Sequence, residues 1–145
     1  RRISTTGPGR SSGCEALARK KVTAISRKLL ADLLAASRSA YESPRQHEFS
    51  CFLIAEDGII FEFWLGPGTI ASERYAILRL HDLPIDFRRV GTAHSHPSGD
   101  NRPSDEDLRL FAQTGPVHII IGYPYDMNSW RAYSRDGEEI SLDVV

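Results

Sequence analysis

The chain has little cysteine, no sustained apolar run and almost no net charge, and each shortage excludes a class of protein. Cysteine occurs only at Cys14, in a polar stretch, and Cys51, in an apolar one. Two isolated residues of this kind make no disulfide framework, and a reducing compartment suits them. No run approaches the roughly eighteen apolar residues needed to span a bilayer, and no signal-peptide pattern of charged, apolar and cleavage regions opens the chain. Eighteen basic residues against nineteen acidic ones leave a formal charge of −1, so no field favours nucleic acid or an anionic membrane surface. The expectation is a soluble cytoplasmic protein with neither nucleic-acid nor membrane partners.

What is present suits one domain. A chain of 145 residues with 41% hydrophobic content can bury a real core, and a second domain would not fit. Residues 1–20 carry Gly, Ser, Thr and basic side chains without hydrophobic periodicity, which predicts a flexible N-terminal segment ahead of a domain over 21–145. Within it, 22–25 reads as a short strand and Ser26 as the N-cap of a helix to about Tyr41, with Leu29, Leu30, Leu33, Leu34 and Ala36 as its apolar stripe. Strands follow over 49–55 and 59–65, joined at Glu56-Asp57-Gly58 by a hairpin signal. After the Gly66-Pro67-Gly68 break come a weaker strand over 72–80, a connection over 82–86, and a strand over 89–96. A second helix from Ser104 to about Gln113 precedes strands over 117–121, 130–133 and 139–144. This order predicts an α+β domain with a mostly antiparallel sheet flanked by helices.

The chemistry is concentrated between His94 and Asp107. In a strand, side chains at i and i+2 leave the same face, so His94 and His96 converge. Pro97 ends the ladder, and 98–103 has the Gly, Asp, Asn and Pro content of a tight loop. Ser104 with Asp107 three residues later has capping-box spacing and brings the carboxylate back toward the imidazoles. Two imidazoles and a carboxylate suit zinc, and three protein ligands with a fourth position left to water mark a catalytic rather than a structural site. Such a site lowers the pKa of water to about 7 and polarises a carbonyl, so hydrolysis is the default chemistry. Alone, His-x-His is common in exposed strands and Ser-x-x-Asp is usually only a helix cap; the two joined through His-Pro and a six-residue spacer are specific.

That combination resembles the JAMM family, also called JAB or MPN-plus, whose signature is His-x-His-Pro, six residues, then Ser-x-x-Asp. Every signature position matches, and the resemblance to short archaeal members covers about 21–145. It implies a JAB/MPN-like (cytidine-deaminase-like) core, a Zn2+ cofactor held by His94, His96 and Asp107, and a hydrogen bond from Ser104 to the developing oxyanion; a capping role for Ser104 competes with the last. The family also uses a glutamate from an earlier strand as base, and His47-Glu48-Phe49-Ser50-Cys51-Phe52-Leu53 is the good match, which assigns Glu48. Cys51 stands where many members have glycine. His47, His81 and His118 lack ligand spacing, and His118 reads as core. Trp64, Trp130, Phe61 and Phe63 read as packing or rim residues.

The resemblance further implies hydrolysis of the amide bond after the C-terminal Gly-Gly of ubiquitin or a ubiquitin-like modifier attached to lysine, with 58–71 and 97–102 as walls of the groove for its tail. It leaves open a homodimer or a proteasome-associated complex. Other readings are a peptidase that processes a sulfur-carrier protein, a DNA-repair-associated member, and a non-catalytic MPN scaffold. The last class typically lacks the histidines and the acid found here.

Overall fold

The computed structural model describes residues 20–65 and 88–145. The strand expected over 72–80, its flanking breaks, His81 and nearly all of the N-terminal segment 1–20 lie outside the described residues. The elements run β1 (Ala24–Ile25), α1 (Arg27–Glu42), β2 (Ser50–Glu56), β3 (Ile59–Trp64), β4 (Arg89–His96), α2 (Asp105–Thr114), β5 (Val117–Gly122), β6 (Trp130–Ser134), β7 (Glu139–Ile140) and β8 (Asp143–Val144).

Local chemistry accounts for the starts and turns. Ser26 is extended, and its Oγ accepts the Leu29 N–H at 3.2 Å, giving one orphan donor of α1 a partner. Leu29, Leu30, Leu33 and Leu34 then bury along one stripe. Replacing Leu30 or Leu33, both fully buried, by alanine costs about 2–5 kcal/mol. The β2–β3 hairpin turns through Asp57 (φ 54) and Gly58 (φ 82), the paired left-handed residues of a type I′ turn. A Cβ at Gly58 would lie 2.8 Å from the Lys21 carbonyl oxygen, so glycine is needed there for space as well as for φ.

The described strands form one sheet in the order β7-β6-β5-β4-β2-β3-β1-β8. Four pairings are antiparallel; β1 with β3, β1 with β8 and β4 with β5 are parallel. The sheet is thus mixed, with two helices among the described residues, in keeping with the expected α+β class. The single strand expected over 139–144 is instead two, which join opposite edges: β7 pairs with β6, and β8 with β1. Only Ser141 and Leu142 separate them, a reach of about 10 Å, whereas seven flat strand spacings would need about 33 Å. The sheet must therefore curl until its edges nearly meet. The leucine stripe of α1 fills the inside of the curl against Cys51, Leu53, Ile60, Ala93, Ile119 and Ile121.

On the other face α2 packs through Phe111 against Ile120 and Tyr133. The β4–α2–β5 unit is a parallel crossover, so the C-terminal end of β4 and the N-terminus of α2 meet at one place. In sheets with parallel strands that is where ligands bind. No helix of the described residues is long and apolar enough to cross a membrane.

Candidate metal centre

At that meeting point the three expected ligands come together. His94 Nε2 lies 3.0 Å from Asp107 Oδ1, His96 Nε2 lies 3.1 Å from Asp107 Oδ2, and the two Nε2 atoms are 3.1 Å apart. His94 and Asp107 are buried and His96 is half-buried. The strand explains the imidazoles, since β4 spans the predicted Arg89–His96 and its two-residue spacing sets His94 and His96 on one face. The helix explains the acid. Ser104 Oγ accepts the Asp107 N–H at 3.1 Å while the Ser104 N–H donates to Asp107 Oδ2 at 2.8 Å, a capping box that aims the carboxylate back at β4.

Protonation at the cluster is set by its surroundings. A carbonyl only accepts, so His96 Nδ1–H donates to the Asp100 carbonyl at 2.8 Å and leaves Nε2 as the natural lone-pair atom. Burial opposes the charge on Asp107, but hydrogen bonds from His94 and His96 and from the Ser104 N–H hold its carboxyl well below the usual carboxylate range. Burial likewise lowers His96, and the hydrogen bonds to Asp107 and Asp100, with the charges of Asp107 and Glu48, more than reverse this. Two Nε2 atoms and two carboxylate oxygens at about 3 Å repel one another unless protons or a cation lie between them. Ligand atoms about 2.0–2.2 Å from a tetrahedral zinc stand about 3.3–3.6 Å apart, a few tenths beyond the spacing here, so the cluster fits zinc.

The loop between strand and helix is tied down on several sides. Gly99 N–H donates to the His96 carbonyl at 3.2 Å, and Tyr133 Oη–H to the Asn101 carbonyl at 2.6 Å. Arg102 donates through Nε and Nη2 to the two Asp100 oxygens, each at 3.0 Å, and this guanidinium holds the exposed Asp100 carboxyl down at about 2. A Cβ at Gly122, at the end of β5, would collide with the Asn101 side chain and crowd the Gly99 Cα at 3.1 Å, so glycine lets the loop lie close on that strand. A cleft of about 410 Å³ opens over His96, Ser98, Asp100, Arg102, Pro103 and Ser104.

Sheet register directs Glu48 toward the end of β4. Ser50 pairs with His94, and the Ser95 N–H donates to the Phe49 carbonyl at 2.9 Å. Continuing that register one step past β2 would set Glu48 opposite His96; Glu48 is half-buried, and its charge is felt at that imidazole. Ser104 keeps its hydroxyl proton, because capping occupies only an acceptor lone pair. The two roles weighed for it are compatible.

Other expectations sort cleanly. His118 is core, stacked on Phe111 with ring centroids 4.1 Å apart, and burial pushes its imidazole down to about 4. Cys51 is fully buried opposite Ala93, and burial raises its thiol, so the departure from glycine adds no reactive group. The groove wall expected from Gly58 onward begins too early: that turn lies at the far end of β2, and only the Trp64 end of β3 returns toward the site, where Trp64 pairs with Phe52. Residues 66–71 of that wall lie outside the described residues. Two contributors carried no sequence signal. One is the Asp100 carbonyl, a backbone group; the other is Tyr125, buried and close enough to Glu48 to sense its charge.

Comparison with known proteins agrees with this geometry. A family model described as prokaryotic homologs of the JAB domain matches residues 85–133. A Haloferax volcanii protein named as a probable metalloprotease is 43% identical over 93 residues, covering 63% of this chain and 57% of that protein; the match thus spans little more than half of that relative. A JAB1/MPN domain protein from Archaeoglobus fulgidus is 38% identical, with a TM-score of 0.65 over 86% of this chain and 98% of that one. A solved structure described as "JAMM: A Metalloprotease-like Zinc Site in the Proteasome and Signalosome" is 39% identical, with a TM-score of 0.66 over 86% and 99%. With its signature residues gathered at the end of β4 and these similarities over most of its length, the chain belongs to the JAMM/JAB family.

Proposed function

We propose that this protein is a zinc metalloprotease that hydrolyses an isopeptide bond, with His94, His96 and Asp107 as the metal ligands. The observation that carries the reading is the convergence of those three side chains beside a cleft; the charge of Glu48 felt at His96 supports its part in it. Zinc, when bound, supplies Lewis acidity: it polarises an amide carbonyl and acidifies water to a pKa of about 7.

The chain's own groups do the rest. The Glu48 carboxylate takes a proton from the attacking water as the C–O bond forms, then returns it to the leaving nitrogen as the C–N bond breaks. The Ser104 hydroxyl donates to the oxygen that gains charge; one such donor is worth roughly 10²–10³ in rate. The His96–Asp100 hydrogen bond and the Ser104–Asp107 box hold two of the ligands in orientation.

The substrate class proposed is a ubiquitin-like modifier whose C-terminal Gly-Gly is joined to a lysine amine. Its support is family membership, together with an edge: beyond Ile60, the outer side of β3 pairs with no described strand, and an extended tail adds readily to such an edge. The test is to give zinc-loaded protein a modifier joined to lysine and, separately, a sulfur-carrier protein joined to cysteine. Cleavage of the lysine conjugate, stopped by a chelator, is expected. Folded, zinc-loaded protein that leaves every lysine conjugate in a panel intact would overturn the reading, and cleavage of the cysteine conjugate alone would transfer it to carrier processing.

A further inference from the structure

His94 has one ring nitrogen in the metal cluster and one outside it. The outer atom, Nδ1, is buried and has no hydrogen-bond partner, and the same holds for the hydroxyl of Ser50. Both residues are more than nine-tenths buried, at 7% and 2% exposure. They are also direct cross-strand partners in the β2–β4 ladder, so their side chains leave the same face.

The ladder shows how close they come. Ser95 N–H donates to the Phe49 carbonyl, which marks Phe49 and Ser95 as the hydrogen-bonding position of the ladder, although Phe49 N–H donates to the Ser95 side-chain Oγ in place of the Ser95 carbonyl. The next pair along, Ser50 and His94, is then a non-hydrogen-bonded pair, the kind whose side chains approach most closely. Two unpartnered polar groups on adjacent positions of a water-excluded face are complementary: a ring N–H donates, and a hydroxyl oxygen accepts.

We propose that Ser50 is a positioning residue for the metal centre, its Oγ receiving the His94 Nδ1–H after a χ1 rotation or through one bridging water. This rests on the reading of His94 as a zinc ligand. The hydroxyl fixes the tautomer, so that Nε2 presents its lone pair, and it holds the ring plane toward Asp107. Partners of this sort are the rule for ligating imidazoles, and removing one typically costs 10–100-fold in metal affinity. His96 has its own in the Asp100 carbonyl; Ser50 gives His94 the equivalent.

The test is zinc affinity by chelator competition, together with the His94 Nδ1–H resonance of the zinc-loaded protein. Ser50→Ala is expected to bind zinc 10–100-fold more weakly, Ser50→Thr to return to within about threefold of wild type, and the wild-type Nδ1–H to exchange slowly and show contact with the Ser50 side chain. Ser50→Ala within threefold of wild type, or Thr and Ala weakened equally, overturns the assignment to the hydroxyl. Should Ser50→Ala fail to fold, the wild-type resonance alone decides, since a fast-exchanging Nδ1–H away from Ser50 is contrary to the proposal. Wild-type protein that binds no zinc would instead bring down the functional reading itself.

Discussion

His118 and His94 sit on neighbouring parallel strands and face the same side of the sheet, yet the structure gives them opposite characters. His118 has both ring nitrogens used: Nε2–H donates to the Gly115 carbonyl and Thr92 Oγ1–H donates to Nδ1, each at 2.8 Å. His94, two positions further along β4 from Thr92, turns its Nε2 toward another imidazole and a carboxylate. Both are buried, so burial does not make an imidazole a ligand. What does is a lone pair with no protein donor to satisfy it, held where others converge. The two helix caps make the same point. Ser26 and Ser104 each accept from the N–H three residues on, but only the box at Ser104 closes on a carboxylate shared with histidines.

Predictions that break this contrast should scale with how directly each residue meets the cluster. The largest effect is expected at the ligands, where His94→Ala or Asp107→Ala should abolish both stoichiometric zinc and turnover in metal analysis and conjugate-cleavage assays. Glu48→Gln should keep its zinc yet lose about 10²–10⁴ in rate, the range for a general acid–base group; full activity would remove Glu48 from the mechanism. Ser104→Ala should keep zinc and lose roughly 10²–10³ in kcat, along with about 1 kcal/mol of cap stability.

His118 predicts the converse, a stability effect without a metal effect. Burial holds its folded value at about 4, below the ordinary imidazole value of 6.5, so below pH 6.5 the unfolded chain binds a proton that the folded chain refuses. Its contribution is fully present above about pH 6.5 and is lost as pH falls toward about 4, on the order of 3 kcal/mol in all. Denaturant titrations of wild type and His118→Gln across that window check this: the substituted protein should show a flatter acid limb and unchanged zinc content. Smallest of all, Ser26→Ala should cost about 1 kcal/mol and leave kcat alone, which would separate a cap that only caps from one that also serves the site.

The same contrast explains how much could be read from sequence. The ligand set was legible because its geometry is local: period-two alternation aligns His94 with His96, Pro97 stops the strand, and a three-residue cap spacing returns Asp107. The Asp57-Gly58 turn and both N-caps were legible for similar reasons. Strand 139–144 was misread because β7 and β8 are two residues each, too short for periodicity, and their partners are chosen by the curl of the whole sheet. The parallel pairings of β1 escaped for the same reason. Glu48 could be assigned only by resemblance, since any approach to His96 depends on the β2–β4 register across 46 residues of chain. The Ser50–His94 relation lies one step further along that ladder, and it needed side-chain burial as well as register.

The central claim is that one divalent ion is held by His94, His96 and Asp107. Zinc content of the purified, zinc-exposed protein and of His94→Ala, each confirmed as folded, tests it most directly. The account predicts close to one zinc per chain in the first and none in the second; a folded wild-type chain that retains no zinc, or a substituted chain that retains as much, would contradict it.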